Sequence, residues 1–510
     1  MKMKIIALIL CGLFIFPLFS SARSDGSMQV EQSGASVFSK VDAYIAREMK
    51  RQRLPGLALA IVQGDRILYL KGYGQADSSG RPVTPETPFG LGSIGKSITA
   101  MAVLQLAEEG KIDLDAPIQR YIPTKYDGAE FITVRQLLNQ TSGFTQISTF
   151  RNTLASVNDQ YQNAIEKNAL SYAEKFLKGT KQTEHPYTYS NANYVLLGYI
   201  VQRVSGQSYG DYVKEHIFNP LSMHDSYVTL DEAAAHGLAT PYRRIFGYNV
   251  AYDGPFVYIA GDAPAGYMYT SAKDMSHYLI AQMNGGRFEG NTVLSSESIG
   301  LMQTEPVPGT YAMGWSTDSI NGVQFLGSPG GSLGFQAQTF FAPDQQLGVI
   351  VFANVLDAID AEWPETHVIT TTHIAYGVIN LLNEQPIGGS GLSISQKYLL
   401  VNGLIIILSF WLLYTTVRTA KRCLGPLSPD HSGRTEISIK VIARIVLDFA
   451  GLFMILLLSM TQIVPIWHLA TIFQPDLFLW LKIVTVLMAL KGSMEIFRLV
   501  RSIRHEKHQG

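Results

Sequence analysis

A serine hydroxyl attacks a carbonyl only when a neighbouring base takes its proton. The chain offers one such pairing at helical spacing. Ser93-Ile94-Gly95-Lys96 opens the apolar helical segment Lys96–Glu109, so the Lys96 amine and the Ser93 hydroxyl fall on one face. Lys96 acts as the base only if burial holds its amine well below the ordinary ~10.4. The helix entry also directs backbone N–H groups outward, the Ser93 N–H first among them, toward a developing oxyanion. A capping serine beside a solvated lysine meets the same spacing. No other lysine has a serine three residues before it, and this one stands at a glycine-rich entry, Gly90-Leu91-Gly92-Ser93-Ile94-Gly95.

Two further segments fit the same chemistry. Tyr187-Thr188-Tyr189-Ser190-Asn191 leads into a helical stretch, Ala192–Val204. A tyrosine brought to a serine–lysine pair relays protons, and Tyr189 is the candidate, with Asn191 two residues on to bond a substrate amide. Tyr187 and Tyr194 read as core aromatics. Gly327-Ser328-Pro329-Gly330-Gly331-Ser332 lies between the strand-like runs Gly322–Leu326 and Phe335–Phe341. Glycines in a strand pattern mark close backbone approach: Gly330 would clear space beside the nucleophile, and the Gly331 N–H would be a second oxyanion donor. The alternative is an ordinary glycine-rich turn. Gln146 and His185 are weaker candidate substrate contacts. There is no His-Glu-x-x-His, no phosphate-binding loop and no Gly-x-Ser-x-Gly around Ser93, so neither a metal nor a cofactor is expected.

The elements that must position these residues alternate in type along the chain. Val37–Arg53 has helical periodicity, and Leu57–Leu70 reads as a hairpin. Helical patterns follow at Val134–Leu138, Tyr209–Ile217 and Ala272–Gln282. A last strand run, Leu347–Ala353, precedes a helix around Thr371–Leu382. Strands at both ends with helices between them predict an α/β (α+β) fold: one antiparallel sheet built from the two ends of the domain, flanked by helices, with an inserted helical subdomain.

Only 16% of the 510 residues are charged, against about 25% in a typical soluble domain. The ends of the chain account for the difference. Lys2 and Lys4 precede an apolar run and Ser20-Ser21-Ala22, the pattern of a signal peptide over residues 1–22. Residues 23–36 then read as a linker, 37–385 as the hydrolase domain and 386–397 as a second linker. Residues 398–497 read as three transmembrane helices (Tyr398–Val417, Ile445–Val464 and a third from Leu477), and 498–510 as a tail. Arg418, Lys421, Arg422, Arg434 and Lys440 follow the first span, and Arg498, Arg501, Arg504 and Lys507 follow the third. The loop Pro465–Asp476 holds neither Lys nor Arg. The positive ends belong in the cytoplasm, which leaves the hydrolase domain outside a bacterial inner membrane, in the periplasm. Within the spans, Asp448 and Lys491 read as a neutralising pair, and Lys482 as a snorkelling side chain. A net charge of −1 argues against a nucleic-acid partner. The two cysteines, Cys11 and Cys423, exclude a disulfide scaffold.

Taken together, Ser93-x-x-Lys96 and Tyr189-Ser190-Asn191 make residues 37–385 resemble the serine β-lactamase and penicillin-binding protein superfamily. The likeness is to its class C-like branch of D-amino-acid peptidases and family VIII esterases. Ile132–Gly143, Pro220-Leu221-Ser222-Met223 and Pro264–Asp274 resemble the family as well. The resemblance implies an acyl-enzyme on Ser93, with Lys96 and Tyr189 handling protons. The third motif departs: where the family has Lys-Thr-Gly or His-x-Gly, this chain has Ser328-Pro329-Gly330. A serine supplies no cation for a substrate carboxylate, which leaves Arg243 or Arg244 to compensate. An exported domain followed by three spans is similar to the layout of inner-membrane peptidases that mature nonribosomal peptide prodrugs. The expected function is amide cleavage in a small peptide-like or D-amino-acid-containing substrate, with membrane lipid around the helices and a homodimer possible. The competing readings are a carboxylesterase, a weak β-lactamase, a DD-carboxypeptidase or a penicillin-receptor-like sensor.

Overall fold

The protein is described by a computed structural model over residues 37–122, 132–145, 163–176, 187–252, 259–304, 311–332, 334–357, 359, 369–388, 391–425, 446, 449 and 474–509. The signal peptide, the first linker, Gln146, His185, Asp448 and the expected span Ile445–Val464, apart from Val446 and Phe449, lie outside the described residues.

Helix α1 (Val37–Gln52) leads into strands β1 (Gly56–Gln63) and β2 (Arg66–Gly74), then β3 (Phe89–Gly90) and helix α2 (Gly95–Glu108). The helical insert holds α3 (Val134–Leu138), α4 (Ala164–Phe176), α5 (Asn191–Ser205), α6 (Tyr209–Val213) and α7 (Leu230–Ala235). Next come the hairpin β4 (Tyr242–Ile245) and β5 (Tyr248–Ala251), helix α8 (Ala263–Gly266), β6 (Tyr269–Thr270) and α9 (Ala272–Met283). The chain continues through β7 (Arg287–Phe288), β8 (Asn291–Thr292), α10 (Ser296–Thr304), β9 (Tyr311–Ala312) and β10 (Trp315–Ile320). It closes with β11 (Val323–Ser332), β12 (Phe335–Ala342), β13 (Leu347–Ala353) and helices α11 (Thr370–Leu382), α12 (Ile394–Leu424) and α13 (Pro475–Gln509).

One seven-stranded sheet, in the order β2-β1-β13-β12-β11-β10-β9, joins the two ends of the domain as expected. All its pairings are antiparallel, and Leu57 of β1 lies opposite Ala353 of β13. Side chains alternate across a strand. Leu57, Leu59 and Ile61 therefore pack with Val41, Ile45, Ile374 and Val378 of α1 and α11, while Ala58, Ala60 and Val62 join the core shared with the helical insert. Both faces are covered, and that burial explains why β1 and β13 read as continuous apolar runs rather than alternating ones.

Two expectations need correction. The glycine-rich segment is not a break between strands: β11 runs through it to Ser332, paired with β12 from Leu326↔Phe341 to Ser332↔Phe335. Pairing with β10 stops at Gly327, so beyond that point one edge of β11 has no partner strand among the described residues. Proline and glycine are tolerated in a strand with such an open edge. At the C-terminus, two helices among the described residues are long and apolar enough to cross a membrane, Ile394–Leu424 and Pro475–Arg501. The first begins before Tyr398, because Ser393 and Gln396 form a capping box there.

Candidate active site

Ser93 stands in a tight 3-10 turn, Gly92–Ile94, that feeds directly into α2. The turn exists because Gly92 adopts φ +54, a left-handed conformation that costs a glycine little. It is also wedged between two other backbones. A Cβ on Gly92 would stand 2.4 Å from the Gly331 nitrogen, and one on Gly330 would stand 2.0 Å from the Leu91 carbonyl oxygen. On the opposite side, a Cβ on Gly266 of α8 would lie 3.1 Å from the Gly92 carbonyl carbon. The glycines are therefore there for close approach: the open edge of β11 lies against the turn that carries Ser93. Gly331, beside that turn, is solvent-exposed.

The Ser93 hydroxyl sits between two side chains. Lys96 Nζ is 3.1 Å from Ser93 Oγ, and the Tyr189 phenol donates to the same oxygen at 2.6 Å. Lys96 also donates to the Ala265 carbonyl of α8, and its amine lies 4.9 Å from the Tyr189 ring centroid. Lys96 is 1% exposed. Burial pulls its amine down to about 7, opposed only by the charge of Asp262. Tyr189 moves the other way: burial pushes its phenol up to about 12, partly offset by the bond to Ser93. Two titratable groups with opposed shifts divide the labour: near neutral pH the amine can lose its proton while the phenol keeps its own.

Sequence reasoning missed the groups that hold this arrangement. Gln140, with φ +59, brackets Tyr189. Its carbonyl accepts from the Thr188 N–H at 2.9 Å, and its Oε1 accepts from the Ser190 N–H at 2.9 Å and from the Asn193 amide. Tyr311 packs edge-on against Tyr189 at 6.3 Å and bonds the Tyr194 hydroxyl at 3.3 Å. Asp262 is buried, accepting from Asn168 at 3.1 Å and Tyr172 at 3.2 Å. Gln140 lies within the Ile132–Gly143 segment already singled out, whereas Tyr311 and Asp262 carry no local signal.

The remaining predicted residues fall in different places. Asn191 begins α5, half-buried, two residues beyond Tyr189. Ser328 is buried in β11, where its hydroxyl donates to the Pro329 carbonyl at 3.3 Å. Arg244 is not available to a substrate: it is fully buried and ion-paired with Asp357 at 3.1 Å. Arg243, on the other face of β4, lies over the Tyr252 ring at 4.8 Å.

Two consequences can be measured in thermal melts. Lys96 has a lower pKa folded than unfolded, so the unfolded chain binds more protons and this residue makes the fold less stable as pH falls from about 10 toward 7. Lys96→Met removes that penalty. The variant melts higher than the parent at neutral pH, by on the order of a few kcal/mol of stability, and the difference shrinks as pH rises toward 10; equal melts across that range contradict the buried amine. Gly330→Ala forces β11 off the Ser93 turn and lowers stability by about 1–3 kcal/mol. An unchanged melting temperature shows that the close approach is absent.

A family model described as beta-lactamase matches residues 41–367. Among curated relatives, Protein flp of Staphylococcus aureus (strain MW2) is 29% identical over 331 residues, covering 62% of this chain and 63% of its own length. The matched region is thus less than two thirds of that relative. The putative penicillin-binding protein PbpX of Bacillus subtilis (strain 168) is 30% identical over 322 residues, covering 61% of this chain and 73% of PbpX. Among solved structures, the octameric penicillin-binding protein homologue from Pyrococcus abyssi aligns with a TM-score of 0.58 at 26% identity, over 68% of this chain and 78% of that one. The D-amino acid amidase from Ochrobactrum anthropi SV3, complexed with L-phenylalanine amide, shares the fold, with a TM-score of 0.59 at 21% identity over 69% and 99% of the two chains. With its serine turn, its two-ended sheet and a family match over most of the folded domain, the chain belongs to the beta-lactamase family.

Proposed function

We propose that this protein is a membrane-anchored serine hydrolase that cleaves an amide in a small peptide-like or D-amino-acid-containing substrate through an acyl-enzyme on Ser93. The observation that carries the reading is the Ser93 hydroxyl held between Lys96 at 3.1 Å and Tyr189 at 2.6 Å. Neutral Lys96 takes the Ser93 proton as Oγ attacks the carbonyl carbon. The Ser93 and Gly331 N–H groups receive the oxyanion. Tyr189 passes a proton to the leaving nitrogen and is reprotonated from the Lys96 ammonium, leaving an ester on Ser93. Water then repeats the sequence, and Ser93 Oγ leaves as the free hydroxyl. The open edge of β11 gives an extended substrate a strand to lie along.

The penicillin-binding relatives support a peptide-like substrate, and the amidase shows that the same fold serves D-amino acid amides. Maturation of a nonribosomal peptide prodrug falls within that substrate class. Ser328 in place of a cation, with Arg244 committed to Asp357, argues against a substrate held by a terminal carboxylate, and so against efficient β-lactam or DD-carboxypeptidase turnover.

Anchoring draws support from how α12 and α13 run. Tyr398 lies beside Gln474 at 3.1 Å, Ser409 beside Trp480 at 2.9 Å and Thr419 beside Glu495 at 3.3 Å. The two helices are therefore parallel, the arrangement expected of a first and a third span. Both basic ends, Arg418 to Arg422 and Arg498 to Arg501, then lie on one side, the cytoplasmic one. The hydrolase domain lies on the other.

Ser93→Ala is expected to abolish hydrolysis of acyl-D-amino amides and covalent labelling by an acylating probe, read by intact-mass spectrometry; retained turnover ends the reading. The rate of Ser93 acylation rises with pH through about 7 as Lys96 deprotonates. Asp262→Asn removes a negative charge that favours the ammonium, so this limb moves to lower pH; an unmoved or raised midpoint contradicts the assignment of Lys96 as base.

A further inference from the structure

The β4–β5 hairpin leaves large apolar side chains in the open: Phe246 is 42% exposed and Tyr248 72%. Exposed apolar residues scattered singly mean little. What distinguishes these is what holds the turn between them. The Phe246 N–H donates to Asp476 Oδ2 at 2.7 Å, at the start of α13. The Phe246 carbonyl accepts from Asn402 Nδ2 of α12 at 3.2 Å. Gly247 lies so close to Tyr398 that a Cβ there would stand 3.0 Å from its ring, and Arg53 donates to the Gly247 carbonyl at 3.1 Å. The turn is thus fastened to the N-terminal part of both apolar helices.

The depth of that attachment identifies the occupant. The apolar run of α12 begins at Tyr398, and Asn402 lies about 6 Å further along the helix axis. The polar zone on each side of a hydrocarbon core is about 5–8 Å thick, and tyrosine and other aromatic side chains concentrate at that level. Leu399 and Leu400, at the same height on α12, are exposed as well. We propose that the tip of this hairpin, Phe246 to Val250, inserts into the headgroup–acyl boundary of the bilayer that α12 and α13 cross, on its extracytoplasmic side. The inference rests on the membrane-spanning reading above. The consequence reaches the site: the Tyr242 N–H at the base of the hairpin donates to the Asn354 carbonyl at 2.9 Å, and Pro241 packs on Gly334 in the β11–β12 turn. A hairpin seated in lipid fixes the height of the cleft above the membrane.

The test uses the full chain with Cys11→Ser and Cys423→Ser, reconstituted in phosphatidylcholine and phosphatidylglycerol vesicles. Single cysteines are introduced by Tyr248→Cys, by Ile407→Cys in the middle of α12, or by Asp65→Cys in the exposed β1–β2 turn, and each carries an environment-sensitive fluorophore. Acylation of Ser93 in each labelled chain reports an intact fold. The Tyr248 probe should shift its emission to the blue and lose intensity when lipids carry a nitroxide near the headgroup, while the Asp65 probe does neither. If the Tyr248 probe behaves like the Asp65 probe and the Ile407 probe is quenched by deep nitroxides, the hairpin proposal falls and the spans stand. If the Ile407 probe also escapes quenching, the spanning reading falls and takes the proposal with it.

Discussion

A lysine amine kept out of water is the constraint on which the rest of this structure turns. An ammonium in a dry interior is costly, and the Asp262 charge offsets only part of that cost for Lys96. That penalty leaves the amine unprotonated in part at neutral pH, free to accept a proton from Ser93. The surrounding packing serves this end. Thr99 of α2 donates to the Pro264 carbonyl at 2.7 Å, which holds α8 so that the next carbonyl, that of Ala265, meets Lys96. Gly95 lies against Met268, and Gly314 against Ser97. Each close contact excludes water from the helix that bears the base. The site trades stability for reactivity, as functional sites commonly do.

The sheet gives that buried helix a fixed partner. Because β1 and β13 come from opposite ends of the domain and pair along their whole length, the β11–β12 pair next to them is held at a set height relative to α2. The unpaired edge of β11 is then close enough to Leu91 and Gly92 that only glycine fits at residues 92 and 330. Ser93 and Gly331, the proposed nucleophile and the proposed second oxyanion donor, come from segments more than two hundred residues apart in sequence, and the sheet brings those segments together.

Much of this was legible because the decisive signals are local. Ser93 and Lys96 are one helical turn apart, and Tyr189 precedes a helix whose apolar pattern is plain. Leu347–Ala353 and Val134–Leu138 form the elements their patterns predict. What stayed hidden depends on contacts between distant segments. Ala265, Asp262 and Tyr311 look ordinary in sequence and matter only through what the fold places beside them. The glycine run falls between two strand-like patterns in the sequence because glycine and proline disfavour strands; pairing with β12 on one side overrides that preference. Arg244 looked free to meet a substrate, but the return of the chain at Asp357 claims it.

The central claim is the state of one amine, and it can be observed directly. In a chain labelled with nitrogen-15 at lysine side chains, one Nζ resonance, absent from Lys96→Met, should titrate with a midpoint near 7, while exposed lysines follow the ordinary midpoint of about 10.4. If that resonance titrates with the others, Lys96 is a solvated cation and Ser93 has no base.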